Sequence, residues 1–443
     1  MKKSLLILLF TCWALFFAAF RPVMPFAAET AAFPDGTPVT GGRILMGTIG
    51  EPSNLIPYMA SDSASGEITG LLYVAPLKYD KDLNVVPWAA ASYEVLEGGR
   101  LLRFVLRDDI RWEDGVPLTA DDVEFTYKLM IDPKTPTAYS GDFLAIESFK
   151  KTGRLSFEVR YAKPFARSLM TWMGAILPKH VLEGQDIMTT PVARKPIGAG
   201  PYRLAKWDAG SMLTLTASDT YFEGRPNLDE VVYRIIPDPS TMFLELKAGK
   251  LDMMSLSPQQ YLRQTQGPQW ERDWRKYRYL SFSYTFLGFN LEHPFFKDVR
   301  VRRAISMAID RQSLIDGVLL GQGVPTVGPY KPGTWAYNDK LTPVRQDVDE
   351  ARRLLDEAGW KKNKDGLLER DGKPFLFTIL VNQGNDSRIK AAIIIQSQLK
   401  ALGITVHIRT VEWAAFIKEF VNKGHFDAII LAWTITLDPD IYD

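Results

Sequence analysis

"FLFTILVNQGNDSRIKAAIIIQSQLKALGITVHIRTVEWAAFIKEFVNKGHFDAIILAW", residues 375–433, decides the architecture of the second half of the chain. The apolar runs 375–381, 404–411 and 426–433 have strand length, and the intervening segments 387–403 and 413–424 have helical periodicity. Strands joined by single helices run parallel, because a tight hairpin cannot return the chain in the same direction. The expectation is a parallel α/β sheet, and in such sheets ligands sit outside the carboxyl ends of the strands. The last run ends on Trp433, which places "TITLDPD", residues 434–440, where a ligand is expected.

Working back toward the amino terminus, "DVDEARRLLDEAGW" (347–360) reads as a helix with Asp347 and Glu350 at its start and Gly359 at its end. "FKDVRVRRAISMAIDRQSLIDGVLL" (296–320) is also predicted helical. Before it, "IGAGPYRLAKWDAGSMLTLTASDTYFEGRPNLDEVVYRIIPD" (197–238) predicts a three-strand meander broken at Gly210 and at "EGRPN", and "PSTMFLELKAG" (239–249) a short helix stopped by Gly249. "SYEVLE" and "RLLRFVLR" bracket Gly98-Gly99 as a strand pair, with Leu102, Phe104 and Leu106 on one face; Leu155, Phe157, Val159 and Tyr161 alternate likewise. Thr119 and Asp122 have the spacing of a reciprocal helix cap. "RILMGTIG" (43–50) predicts a strand, and "EPSNLIPYMASDSASG" (51–66) a loop.

Among 443 residues, 53 basic and 52 acidic side chains give a formal charge of +1, without a basic stripe beside the aromatics, so no nucleic acid partner is expected. Lys2 and Lys3 precede an apolar stretch, 5–20, that is short for a membrane span and reads as a signal peptide, with residues 1–28 removed and 29–41 a linker. Cys12, the only cysteine, lies within that stretch; Phe10 and Thr11 before it argue against acylation, so a lipoprotein is the second reading. The mature protein then has no thiol for disulfide, metal or nucleophile chemistry. His180, His293, His407 and His425 form no metal-ligand or nucleophile–base spacing, and no glycine-rich phosphate loop opens a helix. No metal and no cofactor are expected. Asp438 and Asp440, around Pro439, have the chemistry of an acid–base pair or of partners for an ammonium group, and Trp433 that of a stacking platform.

Taken in order, "RWEDGVPLTADDVEFTYKLM", the 197–238 segment, "ELKAGKLDMM", "LGFNLEHPFFKDVRVRRAISMAIDRQSL" and "ARRLLDEAGW" resemble the extracellular solute-binding proteins of family five, from about Gly42 to the end of the chain. These are dipeptide, oligopeptide and nickel receptors of ABC importers. The resemblance implies a type II periplasmic-binding fold with hinged lobes: 42–78 with 197–286 as the first, 79–196 as an inserted lobe, and 287–443 as the second. It also implies a carboxyl-terminal return to the first lobe, which this chain, ending at Asp443, is expected to lack.

By the same likeness Ser61, Asp62 and Ser63 should face the cleft, with Asn290 near the crossing segment and Trp433, Thr434, Thr436, Asp438 and Asp440 on its rim. Peptide receptors of the family carry an aspartate a few residues after the equivalent of Trp433; here Thr434, Ile435, Thr436 and Leu437 come first. The expected function is a secreted, monomeric, non-enzymatic receptor that delivers a small solute, a peptide foremost, to an ABC transporter permease in the inner membrane. The alternatives are a nickel chelate or sugar receptor, and a secreted hydrolase using Asp438 and Asp440.

Overall fold

Apolar residues at period two form strands where one face can be buried, and continuous apolar runs form them where both can. The computed structural model describes residues 38–435; the leader with Cys12, most of the linker, and Thr436, Asp438 and Asp440 lie outside the described residues. The main strands of the first half are β1 (Arg43–Thr48), β2 (Ala90–Leu96), β3 (Leu101–Leu106), β4 (Ile146–Lys151), β5 (Ser156–Tyr161), β6 (Tyr202–Asp208), β7 (Met212–Ala217) and β8 (Glu230–Ile235). Those of the second half are β9 (Ser283–Phe289), β10 (Leu376–Asn382), β11 (Thr405–Val411) and β12 (Ala428–Thr434). The helices that matter below are α1 (Ser63–Leu72), α2 (Ala120–Ile131), α3 (Pro239–Lys247), α4 (Val299–Ala308), α5 (Val348–Glu357), α6 (Asp386–Lys400) and α7 (Trp413–Ala415), the last running on through a wide turn at Phe416–Val421.

The first sheet has the order β1-β8-β7-β6. Its later three strands are the expected meander, and β1 adds to β8 in parallel, from Arg43 opposite Glu230 to Thr48 opposite Ile235. The antiparallel sheet β2-β3-β5-β4 comes from the intervening chain, with Leu102, Phe104 and Leu106 at most 2% exposed. Phe104, Phe157 and Trp172 share one apolar core with Leu213 and Leu215 of the first sheet. The segment 79–196 therefore packs into the core of the unit that it interrupts. Each such buried large side chain stabilises by roughly 1.5–3 kcal/mol.

The second sheet has the order β9-β12-β10-β11. The three expected strands are parallel, with Leu376 opposite Thr405 and Ile379 opposite Ala428. Their apolar runs are continuous because both faces are covered. Phe377, Ile379 and Val381 pack with Ala304 of α4, Leu355 of α5 and Leu399 of α6, while Leu380, Ile429 and Leu431 pack under Phe416 and Ile417.

Three expectations are corrected. β9 joins this sheet antiparallel to β12, from Ser283 opposite Thr434 to Phe289 opposite Ala428, so the division at 286/287 falls inside a strand. The predicted loop 51–66 ends in α1, whose first turn is held by Asp62. The single helix expected over 296–320 is two, because Ile309 is extended and Asp310 caps a new helix at Arg311–Leu319.

Candidate functional site

The carboxyl edge of the second sheet is where the two units meet. At the end of β10, Gly384 has φ +79, and a Cβ there would stand 2.4 Å from the Pro237 carbonyl oxygen, just after β8. At the end of β11, Trp413 lies on Gly50, just after β1; a Cβ on Gly50 would be 2.6 Å from that of Trp413. Only a residue without a side chain permits either approach. The two units therefore touch at the ends of β1 and β8 on one side and of β10 and β11 on the other.

Asp62 is on the first-unit wall, 5% exposed. Its carboxylate accepts four hydrogen bonds: from Ser65 N–H at 3.0 Å and Trp413 Nε1–H at 3.3 Å on Oδ1, and from the Ser53 and Ser65 hydroxyls on Oδ2. A buried carboxylate with its acceptor sites filled by neutral donors is a satisfied helix cap, not an open charge awaiting an ammonium group. Ser61 and Ser63 on either side of it are exposed. Tyr139, from the inserted segment, reaches the same place: its hydroxyl donates to Ala60 O at 3.3 Å, and burial together with the Asp62 carboxylate holds the phenol above its ordinary pKa.

Trp433, at the end of β12, is 54% exposed. One face of its ring stacks on Phe286 of β9, with centroids 6.2 Å apart and planes 15° from parallel, which leaves indole surface open. Thr434, opposite Ser283, is exposed beside it. Asn290 does not join this group. It follows the carboxyl end of β9, which runs against β12, so it lies at the amino end of β12; its amide donates to Gly424 O and Phe426 O. Its role there is to tie two turns together. Trp413 and Tyr139 were not anticipated from sequence, because both depend on an approach between distant segments. Among the described residues no group of three or more His, Cys, Asp or Glu could hold a metal ion.

Residues 84–442 match the family described as bacterial extracellular solute-binding proteins, family 5 Middle. The oligopeptide-binding protein AppA of Bacillus subtilis is 34% identical over 418 residues, 92% of this chain and 76% of that protein. The chain belongs to this family. Its architecture is that of a type II periplasmic binding protein: the structure of AppA in complex with a nonapeptide superposes with a TM-score of 0.86 at 34% identity, covering 92% of this chain and 82% of that one. NikZ from Campylobacter jejuni in complex with Ni(L-His) follows at a TM-score of 0.77 and 27% identity, covering 90% and 78%. The dipeptide-binding protein of Escherichia coli is 27% identical over 81% of this chain and 69% of that protein. A family-five member binds solutes and does not transform them, so the chain is a binding protein rather than an enzyme, and the hydrolase alternative is withdrawn.

Proposed function

We propose that the chain is a secreted, monomeric receptor that encloses a peptide between its lobes and presents it to an ABC importer permease. The lobes are 42–78 with the chain from 197 up to β9, and the inserted 79–196, on one side, and the unit that begins with β9 on the other. The supporting observation is the open indole of Trp433 on the same sheet edge whose neighbouring strand ends close on Gly50 and Pro237. An aromatic face at a closing crevice offers contact area at low entropy cost. Closure follows from differential affinity: a ligand touching both walls stabilises the closed form over the open one. Ser61, Ser63 and Thr434 line the mouth in this reading, with Asp62 holding the wall that Trp413 rests on.

The similarity to the nonapeptide complex of AppA favours a peptide. The second reading is a nickel chelate, favoured by the likeness to NikZ and by the residues Thr434 to Leu437 where a peptide receptor places its aspartate earlier. Mass spectrometry of the solute released from purified protein on denaturation distinguishes them. Peptides are expected; release of a metal chelate without peptide would overturn the first reading.

A further inference from the structure

Trp413 and Asp62 come from opposite units, 351 positions apart in the chain, and meet at 3.3 Å, indole Nε1–H to carboxylate Oδ1. Each is held in place by its own unit. The donor stands at the start of α7, where the Glu412 carboxylate accepts from Ala414 N–H at 2.9 Å and from Ala415 N–H at 3.0 Å. Its ring is backed by Phe416, with centroids 6.2 Å apart and planes 30° from parallel, and Phe416 is fully buried with Leu380, Ile429 and Leu431 against the second sheet. The acceptor caps α1 and is fixed by the Ser53 and Ser65 hydroxyls and by Ser65 N–H, all of the first unit. When the units part, Asp62 keeps these three bonds and loses one, and Trp413 keeps its seat on Phe416. Neither end is rearranged, and water meets both. An N–H donated to a carboxylate is charge-assisted, and at 3.3 Å this one is longer than the roughly 2.7–2.9 Å of a tight ionic pair. Such a bond between two preorganised halves is made and broken without refolding either.

We propose that Trp413 is a positioning residue of closure: its indole latches onto Asp62 when the lobes meet and so sets the balance of closed over open form. The inference rests on the hinged-receptor reading above, and not on the identity of the solute. Because the bond joins lobe to lobe, it stabilises the closed form whatever is enclosed, and its effect falls on how long a solute stays. Gly50 serves the same contact, since a side chain there would stand 2.6 Å from the Trp413 Cβ and hold the indole away.

The test measures the balance of open and closed forms directly. Cys12, the only cysteine, lies in the leader, so Lys81→Cys in the inserted segment and Lys362→Cys in the second unit, both at exposed positions, carry a pair of spin labels on an otherwise thiol-free mature protein. Distance distributions are recorded by pulsed electron resonance for the protein as purified, stripped of solute, and with an equimolar pool of tri- to nonapeptides. In Trp413→Phe, which keeps a ring on Phe416 and removes the donor, the ratio of closed to open form is expected to fall about tenfold, the step that one charge-assisted hydrogen bond represents. In Asp62→Asn, which keeps a good helix cap and removes the charge, the ratio falls in the same direction by less. Thermal melts verify that the variants fold, and the asparagine variant decides the matter if the phenylalanine variant does not. Distributions in both variants that coincide with the parent's under every condition would overturn the latch and leave the hinged receptor standing. One fixed distance in the parent under all three conditions would overturn the hinged reading and the latch with it.

Discussion

Trp433 and Asp62 were both expected at the site, and they do different work there. Trp433 is 54% exposed and packs on one ring face only, so its removal leaves the core intact. Trp433→Ala should lower ligand affinity by about tenfold in calorimetric titration, with the melting temperature of the free protein little changed. Asp62→Ala should do the reverse. It strips a helix cap and leaves the Ser53, Ser65 and Trp413 donors unpaired, a loss of roughly 2–4 kcal/mol read as a lower urea midpoint at constant slope. Sequence located Trp433 because a strand end in a parallel sheet is fixed by its apolar run. It misplaced Asn290 because the amide's partners, the carbonyls of Gly424 and Phe426, are more than 130 residues away. Trp413 carried no local signal either, being defined by a contact between the two units.

At the scale of the element, local rules held where local chemistry is sufficient. The Thr119–Asp122 cap forms as expected, with Thr119 N–H donating to the Asp122 carboxylate at 2.8 Å and the Thr119 hydroxyl accepting from Asp121 N–H at 3.3 Å. Thr119→Ala should cost about 1 kcal/mol in denaturant unfolding. α1 was illegible because Ser63, Ser65, Gly66 and Gly70 are poor helix formers; burial of Ile68 and Leu72 at 2% and 1% exposure overrides their propensity. β9 was missed for another reason: its partner strand lies more than a hundred residues downstream, and an antiparallel edge has no adjoining helix to announce it. The loop after β10 yields a prediction of its own. Gly384→Ala forces a side chain into a left-handed backbone and toward the Pro237 carbonyl. The variant should bind its solute at least about tenfold more weakly and should remain expanded with ligand in small-angle scattering.

Across the whole molecule the apolar interior is divided. One large core unites the first sheet with the inserted segment, two smaller ones sandwich the second sheet, and a fourth packs Met242, Phe243 and Leu246 of α3 on Leu45 and Ile236 beside the first sheet. Units with separate cores and a crevice between them unfold with separate transitions unless something couples them. Scanning calorimetry should therefore resolve two transitions in the free protein. At a ligand concentration 100-fold above Kd they should move together and upward, by about 2.7 kcal/mol of added stability. The strand order β9-β12-β10-β11 has a further consequence. The strand that leaves the ribosome after the other three fills the gap between β9 and β10, so β9 has no neighbour in its sheet until residue 428 and beyond have been made. A nascent chain of this design cannot complete its second sheet until that strand has been made.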